Sequence, residues 1–207
     1  MNFISKYTAQ IVISVVMLYT LIPFLAPIFF VTGYNNLGFA INEFYEYFCH
    51  QRVERSIFLF GEKKRYSIIE LKEKEYITEV SNQWPEYYGH DYYGNEQIGY
   101  KVPICVRDIA LYGAFIITSI ILLLFKKRIR KTDNRLIALL SLPMTIDVLA
   151  IMIIELFDIT SVPFDYIDGW VHRIITGILF GIAMSLLVIP VLSSNSLTKH
   201  KEKGILE

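Results

Sequence analysis

Trp170–Leu192 has the sequence WVHRIITGILFGIAMSLLVIPVL, an apolar run in which His172 and Arg173 are the only ionisable side chains. The hydrocarbon core of a bilayer is about 30 Å thick, so a helix of roughly 20 apolar residues crosses it. Three further runs of this kind occupy residues 8–31, 109–125 and 136–157. Because lipid offers backbone groups no hydrogen-bond partner, each run must be helical. The sequence therefore predicts an all-α integral membrane protein with four transmembrane helices.

The composition excludes several other classes of protein. The chain has 20 Lys and Arg residues against 20 Asp and Glu residues, and 54% of its 207 residues are hydrophobic. Zero net charge with a mean hydropathy of +0.42 argues against a disordered tail, a nucleic-acid-binding protein and an ordinary soluble enzyme. The predicted partner is thus the lipid bilayer. The sequence contains no common soluble-enzyme motif, but a membrane enzyme can draw catalytic groups from separate helices, so enzymatic activity stays open.

The distribution of basic residues predicts the orientation of the chain. Lys and Arg crowd residues 126–131, and further Lys residues follow residue 194, whereas residues 158–169 carry Asp but neither Lys nor Arg. Cytoplasmic loops carry an excess of Lys and Arg. We therefore expect a multi-pass cell-membrane protein with both termini in the cytoplasm and residues 32–108 outside. The first run lacks a small-residue cleavage site, so we interpret it as a retained anchor.

The segment between the first two runs has its own predicted structure. Apolar residues recur at helical spacing over residues 37–48, with Asn42, Glu43 and Glu46 on the other side, which predicts an amphipathic helix on the outer membrane face. Alternating residues at 63–71 and 75–80 are typical of short strands that could pair as a hairpin. Four parts are expected: the first span with the outer helix at 1–61, a small extracytoplasmic cap at 62–100, the other spans at 101–193, and a basic cytoplasmic tail at 194–207.

Two cysteines mark a candidate site. Cys49 ends the amphipathic helix and Cys105 opens the second membrane helix, so both fall at the outer surface and can meet. An even cysteine count in an oxidising compartment favours a structural disulfide. The neighbours favour a second interpretation, because His50 follows Cys49 and Asp108 lies one helical turn after Cys105. Thiolate, imidazole and carboxylate groups bind zinc or another transition metal, so these four residues form a candidate metal site, with the disulfide as the alternative.

Two motifs give the chain a resemblance to a known family. They are Cys49-His50-Gln51 with Arg55-Ser56, and Pro103-Ile104-Cys105-Val106-Arg107. They resemble an uncharacterised family of small prokaryotic predicted membrane proteins, a domain of unknown function with Cys-His-Gln...Arg-Ser and Pro-x-Cys-x-Arg-Cys-Thr-Gly motifs. Matching residues in the later helices are Pro143, Asp147, Arg173, Thr176, Gly177 and Gly181. The resemblance covers residues 45–190 apart from 62–100, and it implies the fold and the position of the site without implying a reaction.

The chain departs from the family pattern at Asp108, where the family has a second cysteine. A carboxylate cannot exchange disulfides, so a shared dithiol redox role is disfavoured. A change from Cys to Asp keeps a metal ligand, although a carboxylate is a harder ligand than a thiolate. The departure therefore favours metal binding over redox chemistry. Arg55, Arg107 and Gln51 lie beside the cysteines in the sequence. They are candidate ligands for an anionic lipid headgroup or an anionic small molecule; alternatively, the two arginines pair with Glu54 and Asp108.

Ionisable residues within the apolar runs form a second candidate site. Asp147 falls near the middle of the third run, where an unpaired carboxylate costs about 2.5–3.5 kcal/mol, and Thr176 is its predicted partner. Glu155 and Arg173 are expected to pair nearer the outer surface. We interpret these polar residues as the lining of a binding pocket or proton path, or else as packed contacts that fix the register of the two helices. A Gly-x-x-x-Gly pattern at 177–181 is expected to dock the fourth helix against the third.

Three functions follow from these observations. The first is a metal-binding or anionic-ligand site at the outer membrane face, with a transition metal such as zinc as its cofactor. The second is a small solute or ion transporter or channel that uses Asp147 and Arg173. The third is a non-catalytic membrane scaffold with a structural Cys49–Cys105 disulfide. A homo-oligomer or a membrane partner protein is compatible with each of these functions.

Overall fold

The computed structural model of the chain describes residues 3–73, 92–125, 133–157 and 169–203. Its helices are α1 (Phe3–Leu21), α2 (Leu25–Val31), α3 (Asn35–Glu46), α4 (Ile68–Glu73), α5 (Val106–Leu124), α6 (Asn134–Leu156) and α7 (Trp170–Lys203). Its strands are β1 (Ser56–Leu59), β2 (Gly94–Asn95) and β3 (Gly99–Cys105). The predicted strand at 75–80, the basic residues at 126–131 and the acidic residues at 158–168 lie outside the described residues.

The four predicted membrane helices are confirmed. Helices long and apolar enough to cross a membrane occupy Tyr7–Val31, Val106–Leu124, Asn134–Ile154 and Trp170–Leu192. The protein is therefore a multi-pass membrane protein of the predicted, mainly helical class. In the first span, a 3₁₀ turn at Ile22–Phe24 joins α1 to α2, where Pro23 has no backbone N–H to donate. The side of the membrane on which the termini lie stays a prediction.

One compact unit combines residues 3–18, 110–157 and 171–203. Its buried apolar core is formed by Ala9, Ile13, Phe115, Ile116 and Ile189. The hydroxyl groups of Ser119 in α5 and Ser185 in α7 are buried and hydrogen-bonded to each other at 2.9 Å. Such a bond pairs both polar groups within the apolar interior, which holds α5 and α7 in one register.

Gly181 marks a close approach between α7 and α5. A Cβ atom at this position would overlap the Leu111 carbonyl oxygen and lie 3.0 Å from the Ala114 Cβ. The sequence analysis expected this glycine pattern to face the third membrane helix, α6, but Gly181 packs on α5. A Gly-x-x-x-Gly pattern indicates that some helix approaches closely, and it does not identify which one.

The second compact unit combines residues 19–73, 92–109 and 169–170, and it contains a small antiparallel sheet. The strand order is β1-β3-β2. Ser56 lies opposite Cys105 in the pairing of β1 with β3, and Asn95 lies opposite Gly99 in the pairing of β2 with β3. The core beside the sheet consists of fully buried side chains, namely Val53, Phe58, Tyr66, Leu71 and Ile98.

The strand predicted at 63–71 is wrong, because residues 68–73 form the helix α4. The Glu70 N–H donates to the Ser67 hydroxyl at 3.1 Å, and the Leu71 N–H donates to the Ser67 carbonyl at 3.1 Å. Ser-x-x-Glu is the sequence of a capping box, so this helix-start signal outweighs a short alternation of apolar residues. The sheet is built from β1, β2 and β3 instead.

Helix α3 is the predicted amphipathic helix, and it folds back along the first span. Gly33, with φ of 82°, lies in the turn that reverses the chain after α2. Gly38 packs against the ring of Phe30, where a Cβ would lie 2.8 Å from the ring. Further along α3, the Tyr45 hydroxyl donates to the carbonyl oxygen of Tyr19 at 2.5 Å. These contacts place α3 antiparallel to α2 and to the end of α1.

Candidate functional site

Cys49 is held in place by the last turn of α3. Its N–H donates to the Tyr45 carbonyl oxygen at 2.9 Å, and the Phe48 N–H donates to the same oxygen at 3.0 Å. Tyr45 is itself fully buried and bonded through its hydroxyl to the backbone of Tyr19. The backbone of Cys49 is therefore anchored to a residue that cannot move without disturbing the first span.

The junction of β3 and α5 supplies two further side chains. Cys105 is the last residue of β3, opposite Ser56 in the sheet, rather than the first residue of the membrane helix as the sequence suggested. Asp108 lies in the first turn of α5, where a negative charge is stabilised by the helix dipole. The Cys105 thiol donates to the Asp108 Oδ2 at 2.9 Å. This hydrogen bond fixes the two side chains relative to each other.

Cys49, Cys105 and Asp108 converge, as the sequence analysis expected. The two Sγ atoms and one carboxylate oxygen all lie within 4.8 Å of one another, and within the described ranges this is the only such group of His, Cys, Asp and Glu side chains. The cysteine pair is 4.3 Å apart, and both cysteines are free. An S–S bond needs about 2.05 Å. The disulfide given as the alternative is therefore not formed in this structure.

The two thiols differ in their acid–base properties. A hydrogen bond from the Cys105 thiol lowers the pKa of Cys49, although burial and the Asp108 charge oppose this effect. The same hydrogen bond raises the pKa of Cys105 well above its usual value, and burial and Asp108 add to the increase. Of the two thiols, Cys49 therefore has the lower pKa and loses its proton first.

Gln51 secures the loop that follows Cys49. Its backbone adopts the left-handed conformation with φ of 48°. Its Nε2 donates to the Asn42 carbonyl at 2.6 Å, and the Asn42 Nδ2 donates to the Gly38 carbonyl at 2.8 Å. Lys101 in β3 is fully buried, and its Nζ donates to the Gln51 carbonyl at 2.9 Å. Asn42, expected on the exposed polar side of the helix, is only 2% exposed: its Nδ2 and its backbone carbonyl are hydrogen-bonded inside the protein, and its side-chain oxygen is buried without a hydrogen-bond partner.

The residues that directly follow Gln51 form a network of buried charges. The Glu54 carboxylate is fully buried, and its Oε1 accepts from the Arg52 Nε and lies 3.7 Å from the Arg55 Nε. The Trp170 indole N–H donates to the Glu54 carbonyl at 2.9 Å. Glu54 was expected as an alternative partner of the arginines, whereas Arg52, Trp170 and Lys101 were not predicted to take part. The available signals were the Arg-Val-Glu-Arg run directly after the Cys-His-Gln motif and a lysine inside the apolar stretch that forms β3.

The other residues predicted for this site take different positions. His50 is exposed, and its ring is not part of the group of converging ligand atoms. The Gln51 side chain is directed towards Asn42. Arg107 is 8% exposed, and Arg55 lies beside Glu54. The structure therefore assembles three of the four predicted metal ligands.

In the unit that contains α6, Asp147 meets His172, a residue that the sequence analysis did not assign to it. The Asp147 Oδ1 lies 3.6 Å from the His172 Nε2, and the two side chains are 6% and 30% exposed. The predicted partner Thr176 donates instead to the carbonyl oxygen of Arg173 in its own helix at 3.3 Å. The Glu155 side chain lies outside the described part of the chain, so its pairing with Arg173 stays a prediction.

Comparison with known proteins gives one finding. No curated protein and no solved structure matches the chain. Residues 97–187 match the family described as Predicted membrane protein (DUF2085), whose function is unknown. The matched range contains Cys105, Asp108, Asp147 and Arg173, and it begins after Cys49. Over residues 97–187 the chain is similar to the DUF2085 family of predicted membrane proteins, which confirms the expected resemblance to an uncharacterised membrane protein family.

Proposed function

We propose that Cys49, Cys105 and Asp108 bind a transition metal of the zinc class at the boundary of the membrane. The observation that carries this proposal is the convergence of two sulfur atoms and a carboxylate oxygen within 4.8 Å. Thiolate and carboxylate are both established ligand types for zinc. The residues come from segments 56 positions apart in the chain, and a buried loop and a strand hold them together.

The separation of the ligand atoms suits a tetrahedral ion. With Zn–S bonds of about 2.3 Å, two sulfur ligands of a tetrahedral site lie about 3.8 Å apart. The cysteine pair at 4.3 Å therefore needs to close by only about half an ångström. Small rotations about the side-chain bonds accomplish this without displacing β3 or the end of α3.

Three protein ligands leave the fourth position of the ion to another group. Structural zinc sites are closed by four protein ligands, whereas sites with three ligands hold a water molecule or a substrate. Arg55 and Arg107, which lie close to the cysteines in the chain, would favour an anionic occupant of that position, such as a phosphate or carboxylate group. The site thus supports the binding of an anionic ligand by a metal.

Metal binding is tested on purified full-length protein kept reduced and first stripped with a chelator. Added Zn²⁺ or Co²⁺ should bind at about one ion per chain, with a sulfur-to-cobalt charge-transfer band from the thiolate ligands. Cys49→Ser, Cys105→Ser and Asp108→Asn should each weaken binding by about tenfold or more. Glu43→Gln, an exposed carboxylate on α3, is the matched control and should bind as the parent does.

Two outcomes would contradict the proposal. The first is stoichiometric cobalt binding without the charge-transfer band, because such binding does not involve the cysteines. The second is a reduced protein that binds no ion even though both thiols titrate as accessible. His50→Ala serves as a further discriminator. Unchanged affinity in this variant would support the three-ligand site, and a large loss would restore His50 as the fourth ligand.

A second candidate function rests on the contact between Asp147 and His172. A carboxylate and an imidazole within helices long enough to span the membrane can exchange a proton, as in proton relays of membrane transporters. The 3.6 Å distance between the two groups supports this candidate. It keeps Asp147 from the predicted path lined by Asp147 and Arg173, and it adds His172.

Proton-coupled flux in proteoliposomes tests this second function. With a pH gradient imposed, Asp147→Asn and His172→Gln should each abolish dye-reported proton movement. Asp133→Asn is the control, because Asp133 caps α6 outside the apolar span and Asn also serves as an N-cap. Equal flux in all four proteins and in empty vesicles would remove this function.

A further inference from the structure

We propose that α3 is half-immersed in lipid, with Leu37, Phe44 and Phe48 in the acyl-chain region of one leaflet. These three side chains are 50%, 53% and 61% exposed on the protein. At 3.6 residues per turn, Leu37 and Phe44 lie about 20° apart on one side of α3, and Phe48 follows in the turn after the helix. The rings of Phe44 and Phe48 touch, with centroids 5.4 Å apart, which confirms that the stripe continues past the end of α3.

The other two sides of α3 have different chemistry. The packed side consists of Gly38, Asn42 and Tyr45, which are buried against the protein. The remaining side carries the exposed acidic residues Glu43 and Glu46. A helix with separate packed, apolar and acidic sides is suited to the boundary between lipid and water.

The polarity of α3 is inverted relative to a helix of a water-soluble protein. Asn42 is buried and directed to the backbone of Gly38, and its carbonyl accepts from Gln51. The large apolar side chains Leu37 and Phe44 point outward instead. Burial inside the protein therefore does not account for the apolar stripe, which needs an apolar environment outside the protein.

The stripe is continuous with a surface that already faces lipid. Helix α3 packs back along the span Tyr7–Val31, and the Phe48 ring meets the Tyr19 ring of that span at 5.9 Å. Within the same compact unit, the span exposes further large apolar side chains, namely Leu21, Leu25 and Ile28. Acyl chains that cover the span also reach the stripe. This continuity selects lipid, and not a second copy of the chain, as the occupant.

The consequence concerns the cysteine cluster, since Cys49 directly follows Phe48. An immersed stripe places Cys49 at the edge of the acyl region, where amphiphilic molecules in the leaflet can approach it. This inference is independent of metal binding. A protein that binds no ion would leave the position of α3 unchanged.

The test uses tryptophan fluorescence in nanodiscs, whose two faces are both accessible to aqueous quenchers. Tryptophan is introduced as Phe44→Trp or Leu37→Trp on the stripe, and as Glu46→Trp on the acidic side for comparison. The native tryptophans Trp84 and Trp170 remain in every protein, and their signal is subtracted with the parent. Stripe positions should be quenched by lipids brominated about 5–10 Å below the headgroups, at least about twofold more than position 46. Acrylamide should show the opposite order.

Two results would overturn the proposal. Stronger quenching by acrylamide than by brominated lipid at 44 and 37 would place the stripe in water. Protection from both quenchers would show that protein covers the stripe, as in a dimer of the chain. Using two stripe positions keeps the test decisive if one variant fails to fold, as judged by gel filtration and circular dichroism.

Discussion

Replacement of Glu54 by Gln should destabilise the protein substantially. Glu54 is fully buried between Arg52, which is 2% exposed, and Arg55, which is 12% exposed. Removing one charge of a buried ion pair costs about 3–5 kcal/mol, because the remaining charge is left uncompensated. The Gln side-chain oxygen can still accept from Arg52, so we expect the lower end, about 3 kcal/mol. For a chain of this length that corresponds to a fall in Tm of about 6–12 °C.

Thermal unfolding of the purified protein in detergent measures this effect. Glu43→Gln removes an exposed carboxylate from α3 and should change stability by less than about 0.5 kcal/mol. The double variant Arg52→Met with Glu54→Leu removes both members of the buried pair and should recover much of the loss. Labelling of Cys49 should also become faster in Glu54→Gln, because the loop after Cys49 loses its anchor.

The reasoning is refuted if Glu54→Gln and Glu43→Gln have the same Tm. That result would mean that the carboxylate at position 54 is uncharged or solvated in the folded protein. A double variant that is less stable than Glu54→Gln would show that the two side chains stabilise the protein by more than neutralising each other's charge.

Two further predictions concern the thiols and the helix packing. In chelator-treated protein at about pH 8, Cys49 should be alkylated faster than Cys105, because its pKa is lowered while that of Cys105 is raised, so its thiolate forms at lower pH. Cys105→Ala should move the alkylation profile of Cys49 to higher pH, and an unchanged profile by peptide mass spectrometry would contradict this. Gly181→Ala should lower the Tm because its Cβ would overlap the Leu111 carbonyl, whereas Gly113→Ala has open space and should stabilise α5 by up to about 1 kcal/mol. The reverse order of Tm values would contradict the packing of α7 on α5.

The membrane helices could be predicted because the bilayer requires a minimum length of apolar sequence. Helix α7 begins at Trp170, where the apolar run begins, and the span Val106–Leu124 starts close to the predicted residue 109. The sheet could not be predicted in the same way. Strand β3 contains Lys101 and Pro103, which interrupt the alternation that identifies a strand. Its partner β1 lies far away in the chain and leaves no local signal.

The part of the candidate site that could be predicted is the pair of cysteines, because their positions relative to the membrane spans already place them on the same side. Cys49 and Cys105 flank the connection between the first two spans, so they share one side of the membrane. The contact between Asp147 and His172 was not predicted, because the expected pairing of Glu155 with Arg173 places the end of α6 level with the start of α7. Asp147 lies nine residues before the end of α6, and His172 lies two residues after the start of α7. At 1.5 Å per residue, contact between these two residues means that the end of α6 lies about 10 Å beyond the start of α7. The local sequence does not indicate such an offset.

The pairing of β1 with β3 also sets the order in which the site can be made. Cys105 follows Cys49 by 56 positions. At a synthesis rate of about 5–20 residues per second, Cys49 is translated roughly 3–11 s before Cys105. During that interval Cys49 has no Cys105 beside it, and Lys101 is not yet present to donate to the Gln51 carbonyl in the loop after Cys49. The cluster can therefore form only after the segment from Cys49 to Asp108 has reached one side of the membrane, and a chain that stops earlier carries a Cys49 thiol without these partners.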